Sequence, residues 1–146
     1  MLRHINKHPS IRYRELSRAT GLPNGLLSFD LKKLERLKII KVRRLGYSVT
    51  RCYPKTVKAN ESSILDHLLD STRRKIIFFL LEHRNRRFKE ILHHIKRAPS
   101  TSSVQLQRLE HTGIIFVLRL NKNNHFYRLK NKSGIIRIVS KYKIIL

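Results

Sequence analysis

The chain has 146 residues, with 33 Lys and Arg against nine Asp and Glu, and carries a net charge of +24. Residues 1–56 hold 14 basic and three acidic side chains and the remainder 19 and six, so the charge belongs to the whole body rather than to a tail, and it calls for a polyanionic partner. A hydrophobic content of 40% with five Gly and four Pro excludes a largely disordered chain; one cysteine excludes a disulfide framework or a Cys-rich metal site. The longest apolar run, Ile76 to Leu81, is far too short to span a bilayer, and Arg3, His4, Asn6 and Lys7 interrupt what would be a signal peptide. A soluble cytoplasmic protein is expected.

The chain opens on material for a helix of only about two turns. Ile11 to Thr20 then spaces Tyr13, Leu16 and Ala19 about three apart, as in a short helix, and Gly21-Leu22-Pro23 breaks it. Asn24 is placed to cap a second helix in which Leu27, Leu31 and Leu34 share one face and Ser28, Phe29, Lys32, Lys33 and Arg36 lie opposite. Lys38 to Arg44 predicts a strand, Leu45 to Ser48 a turn, and Val49 to Pro54 the returning strand. Thr56 to Ser63 is a polar joint. A short apolar stretch, Ile64 to Leu69, follows, and Asp70 or Ser71 caps a helix over Thr72 to His83.

From Ile76 the chain begins again. At an offset of 75, residues 1–45 align with 76–120 without a gap and with twelve identities, among them Arg12/Arg87, Glu15/Glu90, Leu31/Leu106, Glu35/Glu110 and Arg44/Arg119. With one residue dropped in the turn, Tyr53 also meets Tyr127. The second copy repeats the order: a helix over Arg87 to Ile95, a break at Ala98-Pro99, a helix over Ser100 to His111, a strand over Ile114 to Leu120, a polar turn at 121–124, and a strand over His125 to Lys130. Ile135, Ile138, Val139, Tyr142 and Ile145 then recur at helical spacing in an end segment with no counterpart in the first copy. This last helix is expected either to cover the core under the short first helix or to pair with a second chain.

Helix, tight turn, helix and two-stranded hairpin is the winged helix-turn-helix order. The segment Pro23-Asn-Gly-Leu-Leu-Ser-Phe-Asp-Leu-Lys-Lys-Leu-Glu-Arg-Leu-Lys-Ile-Ile and its twin from Ala98 to Ile115 resemble the recognition helix and first wing strand of ArsR/MarR-type prokaryotic transcription regulators. Leu69-Asp-Ser-Thr-Arg-Arg-Lys-Ile-Ile resembles the opening of the ArsR first helix, and the doubled arrangement is similar to tandem winged-helix regulators of archaea. Asp30 and Gln105 depart from the His often found before the first recognition-helix Leu. Ser102 departs from a branched core residue and is expected to weaken packing. The expected fold is α+β, mainly helical with small hairpins: two tandem winged helix-turn-helix domains at 1–56 and 64–132, a linker at 57–63, and a C-terminal helix at 133–146.

The resemblance implies double-stranded DNA as partner, with each recognition helix in a major groove and each wing on the flanking backbone. In the first copy the candidates are Asn24, Ser28, Phe29, Lys32, Lys33 and Arg36 on the helix, with Arg43, Arg44, Tyr47 and Arg51 on the hairpin. In the second they are Ser100, Thr101, Ser103, Gln105, Gln107 and Arg108, with Arg119, Lys122, Asn123, Asn124 and His125. Gln105 and Gln107 suit adenine; Arg36 and Arg108 suit guanine or phosphate. Two heads in one chain suit half-sites about 34 Å apart.

Other readings leave weaker traces. Glu15/Glu90 and Glu35/Glu110 recur at matching framework positions, as ion-pair partners of the equally repeated Arg12/Arg87 would, rather than clustering as a catalytic pair. No enzyme activity, cofactor, metal or small-molecule ligand is expected: His93 and His94 diverge around a helix, His4 and His8 have no further ligand nearby, and Cys52 is placed to sit inertly in the wing. Tyr47, Tyr53, Phe126 and Tyr127 keep an RNA or single-strand alternative open. A nucleoid-associated role and a winged-helix scaffold for acidic proteins are the other rivals.

Overall fold

The computed structural model describes residues 1–45 and 49–145. The chain divides into two compact units, Met1–Ser62 and Ser63–Leu146. The first contains α1 (Leu2–Lys7), β1 (Ile11–Arg12), α2 (Tyr13–Thr20), α3 (Asn24–Arg36), β2 (Ile40–Leu45) and β3 (Val49–Pro54). Helix α4 (Ala59–Leu68) follows, and the second unit continues with α5 (Ser71–Glu82), β4 (Arg86–Arg87), α6 (Phe88–Ile95), α7 (Pro99–His111), β5 (Ile115–Asn121), β6 (Asn124–Leu129) and α8 (Lys132–Lys141). This is an α+β fold, mainly helical, with two small antiparallel sheets of order β1-β3-β2 and β4-β6-β5.

The repeat is kept in the structure residue for residue. Helices α2 and α6, α3 and α7, and strands β1 and β4 have the same bounds after a shift of 75. The hairpins keep that shift across the turn: Val42 faces Cys52 as Val117 faces Tyr127, and Ile40 faces Pro54 as Ile115 faces Leu129. No residue is dropped, so the partner of Tyr127 in the first copy is Cys52, not Tyr53. Identity of residue type misleads here because register in a sheet follows the pairing of the backbone and the turn. The copies also share their left-handed helix exits, but exchange the glycine. Gly21 (φ 65°) corresponds to Lys96 (φ 51°), and Lys38 (φ 55°) to Gly113 (φ 74°). Each copy thus places a side chain in a strained conformation where its twin has none.

Amphipathic spacing becomes burial. Ile5, Ile11, Leu16, Leu27, Leu31, Ile40 and Cys52 form the first unit's core, with Tyr13, Leu22, Leu34 and Val42 packed against it. Ala19, expected on the apolar face of α2, is exposed. In the second unit Ile76, Ile77, Leu80, Ile91, Ile95, Leu106, Leu109 and Ile115 are buried. Asp70 caps α5 as expected, its Oδ1 accepting from the Thr72 and Arg73 N–H groups at 3.1 and 3.0 Å. Burial would raise this carboxyl, but those bonds and the Arg73 guanidinium hold it below its ordinary value.

The polar joint at 57–63 is helical from Ala59. The Lys58 N–H donates to Glu61 Oε2 at 3.0 Å, closing the start of α4 from the side chain that looked like linker. The end segment is helical after the second hairpin, but it has a counterpart that was not expected. Helix α8 follows the second hairpin as α4 follows the first, so the first copy does have a helix after its wing. The two helices share little sequence, which hides the correspondence. Helix α8 begins when Asn131 accepts from the Gly134 N–H, buries Ile135 and Ile138, and stops at Lys141; residues 142–145 are not helical.

Candidate nucleic-acid interface

Each unit presents one long helix after a three-residue break, as the helix-turn-helix requires. On α3, burial of Leu27 and Leu31 turns Asn24, Phe29, Lys32, Lys33 and Arg36 outward, with Ser28 half-buried. Asn24 is the first helical residue rather than the cap; Pro23 stands at the cap, and the Asn24 carbonyl accepts from the Tyr13 hydroxyl at 3.0 Å. On α7, Ser100, Thr101, Gln107 and Arg108 are exposed and Ser103 is half-buried. Pro99 opens this helix, a position where its missing N–H costs nothing. Ser102 is fully buried, and its hydroxyl donates to the Ala98 carbonyl at 3.0 Å.

Several expected contacts are redirected. Arg51 is only 3% exposed and donates to the Ser10 carbonyl at 3.0 Å; antiparallel pairing of β1 with β3 covers it, so it does not face a ligand. Gln105 Oε1 is buried without a hydrogen-bond partner, so this side chain does not offer the two-atom edge that adenine needs. Tyr47 lies outside the described residues. Arg43 is exposed and reaches Ser62 Oγ at 3.4 Å, while Lys122 and Asn123 are exposed and Asn124 and His125 half-buried at the second hairpin.

Arg44 and Arg119 are exposed but engaged. Arg44 grips both oxygens of Glu35 at 3.2 and 2.9 Å, and Arg119 grips Glu110 at 2.7 and 2.8 Å. The Arg119 fork holds Glu110 below the ordinary carboxylate range, and the same bonds raise both guanidiniums. With the arginines 57% and 55% exposed, solvent screens both pairs and they add little to stability. Their use is geometric: one ties β2 to the end of α3 and the other ties β5 to the end of α7, bidentately. Glu15 and Glu90, expected as ion-pair partners of the Arg12 and Arg87 side chains, accept from the Arg12 and Arg87 backbone N–H at 3.0 and 2.7 Å, at the first turns of α2 and α6. Glu90 also takes the Arg86 side chain at 3.0 Å.

The same cleft occurs in both units. In the first, Arg12, Tyr13, Arg14, Val49 and Thr50 line a hollow of about 250 Å³. In the second, Arg87, Phe88, Lys89, Ser103, Lys122, Asn123, His125 and Tyr127 line one of about 390 Å³. Arg12/Arg87, Tyr13/Phe88, Arg14/Lys89 and Thr50/His125 are all 75 apart, so one site is built twice, between the start of the short helix and the wing. Its basic residues Arg12, Arg14, Arg87 and Lys89 are exposed, and the Arg87 guanidinium lies 5.1 Å from the Phe126 ring centre. These four were absent from the expected interface. The repeat marked them, as an identity and a basic pair, but only the short β1 and β4 pairings bring them to the wing.

Cys52 lies fully buried in the first unit's core. Burial foremost, and then the charge of Glu35, push its thiol up to about 11 against the opposing effect of Arg44. At pH 8 only about one thousandth is thiolate, the reactive form. An aromatic disulfide reagent therefore leaves the folded protein unlabelled and reacts with one thiol per chain in guanidinium; rapid labelling of the folded form contradicts this burial.

No helix among the described residues is long and apolar enough to cross a membrane, and no group of three or more His, Cys, Asp or Glu is placed to hold a metal ion among them. No curated protein matches the chain. Residues 70–116, from the α5 cap through α7 into β5, match the family described as bacterial regulatory protein, arsR family. The second unit is thus similar in sequence, as well as in its winged helix-turn-helix form, to arsR-family regulators, and that similarity supports DNA-binding transcription regulation.

Proposed function

We propose that the chain is a sequence-preferring double-stranded DNA-binding protein that uses both units, with α3 and α7 in the major groove and the wings on flanking phosphates, and that it regulates transcription. The observation that carries this reading is the doubled site: an outward helix and a basic cleft beside a wing, recurring at one fixed offset in a chain of net charge +24. Solubility alone gives no reason for Arg12/Arg87 and Arg14/Lys89 to recur around the same hollow. Phosphates placed at the clefts would position the duplex, and α3 and α7 would present side chains to base edges.

The single-strand alternative rests on the hairpin rings. Tyr53 is buried, Tyr127 is half-buried with its hydroxyl pKa raised by that burial, and Phe126 lies beneath Arg87. Competition among duplex DNA, single-stranded DNA of the same sequence and a structured RNA tests the proposal. Duplex DNA is expected to displace a labelled duplex at the lowest concentration; preferential displacement by single strands or RNA would replace this reading with theirs.

A further inference from the structure

Both recognition helices expose an apolar side chain at the same place. Phe29 on α3 is 65% exposed, and Val104, its counterpart on α7, is 45% exposed. Leu26, one turn before Phe29, is 48% exposed, and its counterpart Thr101 carries a methyl group of its own. None of these belongs to the cores, which α3 and α7 supply through Leu27, Leu31, Leu106 and Leu109. On α3 the neighbours of Phe29 at i+3 and i+4 are Lys32 and Lys33, both exposed, so the apolar group lies on the cationic face.

We propose that Phe29 and Val104 are specificity-determining residues that read thymine by its 5-methyl group; this rests on the duplex-binding function proposed above. The chemistry narrows the choice. A phenyl ring and an isopropyl group neither donate nor accept a strong hydrogen bond, so at a major-groove edge they leave the amine of cytosine or adenine and the acceptors of guanine unpaired. Thymine alone presents a methyl group there. The lysines flanking Phe29 carry the phosphate attraction that brings the ring against the bases, and Leu26 extends the apolar strip by one turn. Each methyl group taken out of water against such a side chain strengthens binding about fourfold.

The test uses the full chain and a duplex it selects from a random pool. The same duplex is remade with deoxyuridine for every thymidine, which keeps all base pairs and removes only the methyl groups. Wild-type affinity is expected to fall about fourfold for each methyl contacted. Phe29→Ala and Val104→Ala should each bind the thymine duplex more weakly and show a smaller penalty for uracil, and the double variant the smallest. Both positions are exposed, so circular dichroism should show the variants folded as the parent. Equal wild-type binding of the two duplexes overturns the proposal and leaves duplex binding standing. A uracil penalty undiminished in the double variant overturns it too, since the methyl groups would then act through DNA shape. Failure to retain any duplex from the pool defeats both readings together.

Discussion

Raising monovalent salt from 50 to 200 mM weakens binding to duplex DNA by about 10³ to 10⁵, provided that six to ten phosphates are neutralised. The exposed side chains placed for this are Arg12, Arg14, Lys32, Lys33 and Arg36 in the first unit and Arg87, Lys89, Arg108 and Lys122 in the second. Each phosphate neutralised releases condensed counterions, giving a slope of roughly −0.9 in log affinity against log salt per contact. The doubled cleft makes a sharper claim within that total. Replacing Arg12 and Arg14 by Ala lowers the magnitude of the slope by about two and weakens binding evenly across sequences, as loss of phosphate contacts must. Arg44→Ala acts differently, because its guanidinium is already held by Glu35: it should leave the slope nearly unchanged while loosening the wing. A titration series in which affinity does not respond to salt would remove the electrostatic basis of the interface.

Leu27→Ala lowers the stability of the first unit by about 2–5 kcal/mol, the range for emptying a fully buried leucine site. The side chain is wholly enclosed with Ile5, Ile11, Leu16, Leu31 and Ile40, and it anchors the inner face of α3. The repeat supplies the control. Residue 102 is the counterpart of residue 27 and is as deeply buried, but it is a serine bonded to the carbonyl four residues back. Ser102→Ala removes one hydroxyl and a bond the helix does without, so it should change stability by no more than about 1 kcal/mol. Hydrogen exchange by mass spectrometry separates the units: Leu27→Ala accelerates exchange in peptides from α1 to β3 and leaves those from α5 to β6 unchanged. A loss below 1 kcal/mol at Leu27 would mean that α3 is not seated on this core.

The same comparison shows where local pattern sufficed. Helices α2, α3, α6 and α7 were legible because leucine and isoleucine spacing and the Gly21-Leu22-Pro23 and Ala98-Pro99 breaks act within a few residues. The cap at Asp70 was legible for the same reason. The helix following each wing was not: α4 begins in a polar stretch and shares little sequence with α8, so neither identity nor composition signals their equivalence.

Sequence by itself determined the duplication, through the alignment at an offset of 75, and, through short-range periodicity, the helix-turn-helix and hairpin order of each copy, the α+β class and the outward placement of Phe29, Lys32, Lys33 and Arg36. Tertiary structure alone decided which cations remain available. Arg51 is enclosed because β1 pairs with β3, Arg44 and Arg119 are claimed by glutamates nine residues away on a different element, and Arg12 with Arg14 meets the wing through a two-residue strand. The physical reason is that helical and strand periodicities assign a side chain to a face, whereas its partner depends on which elements the packed core brings alongside.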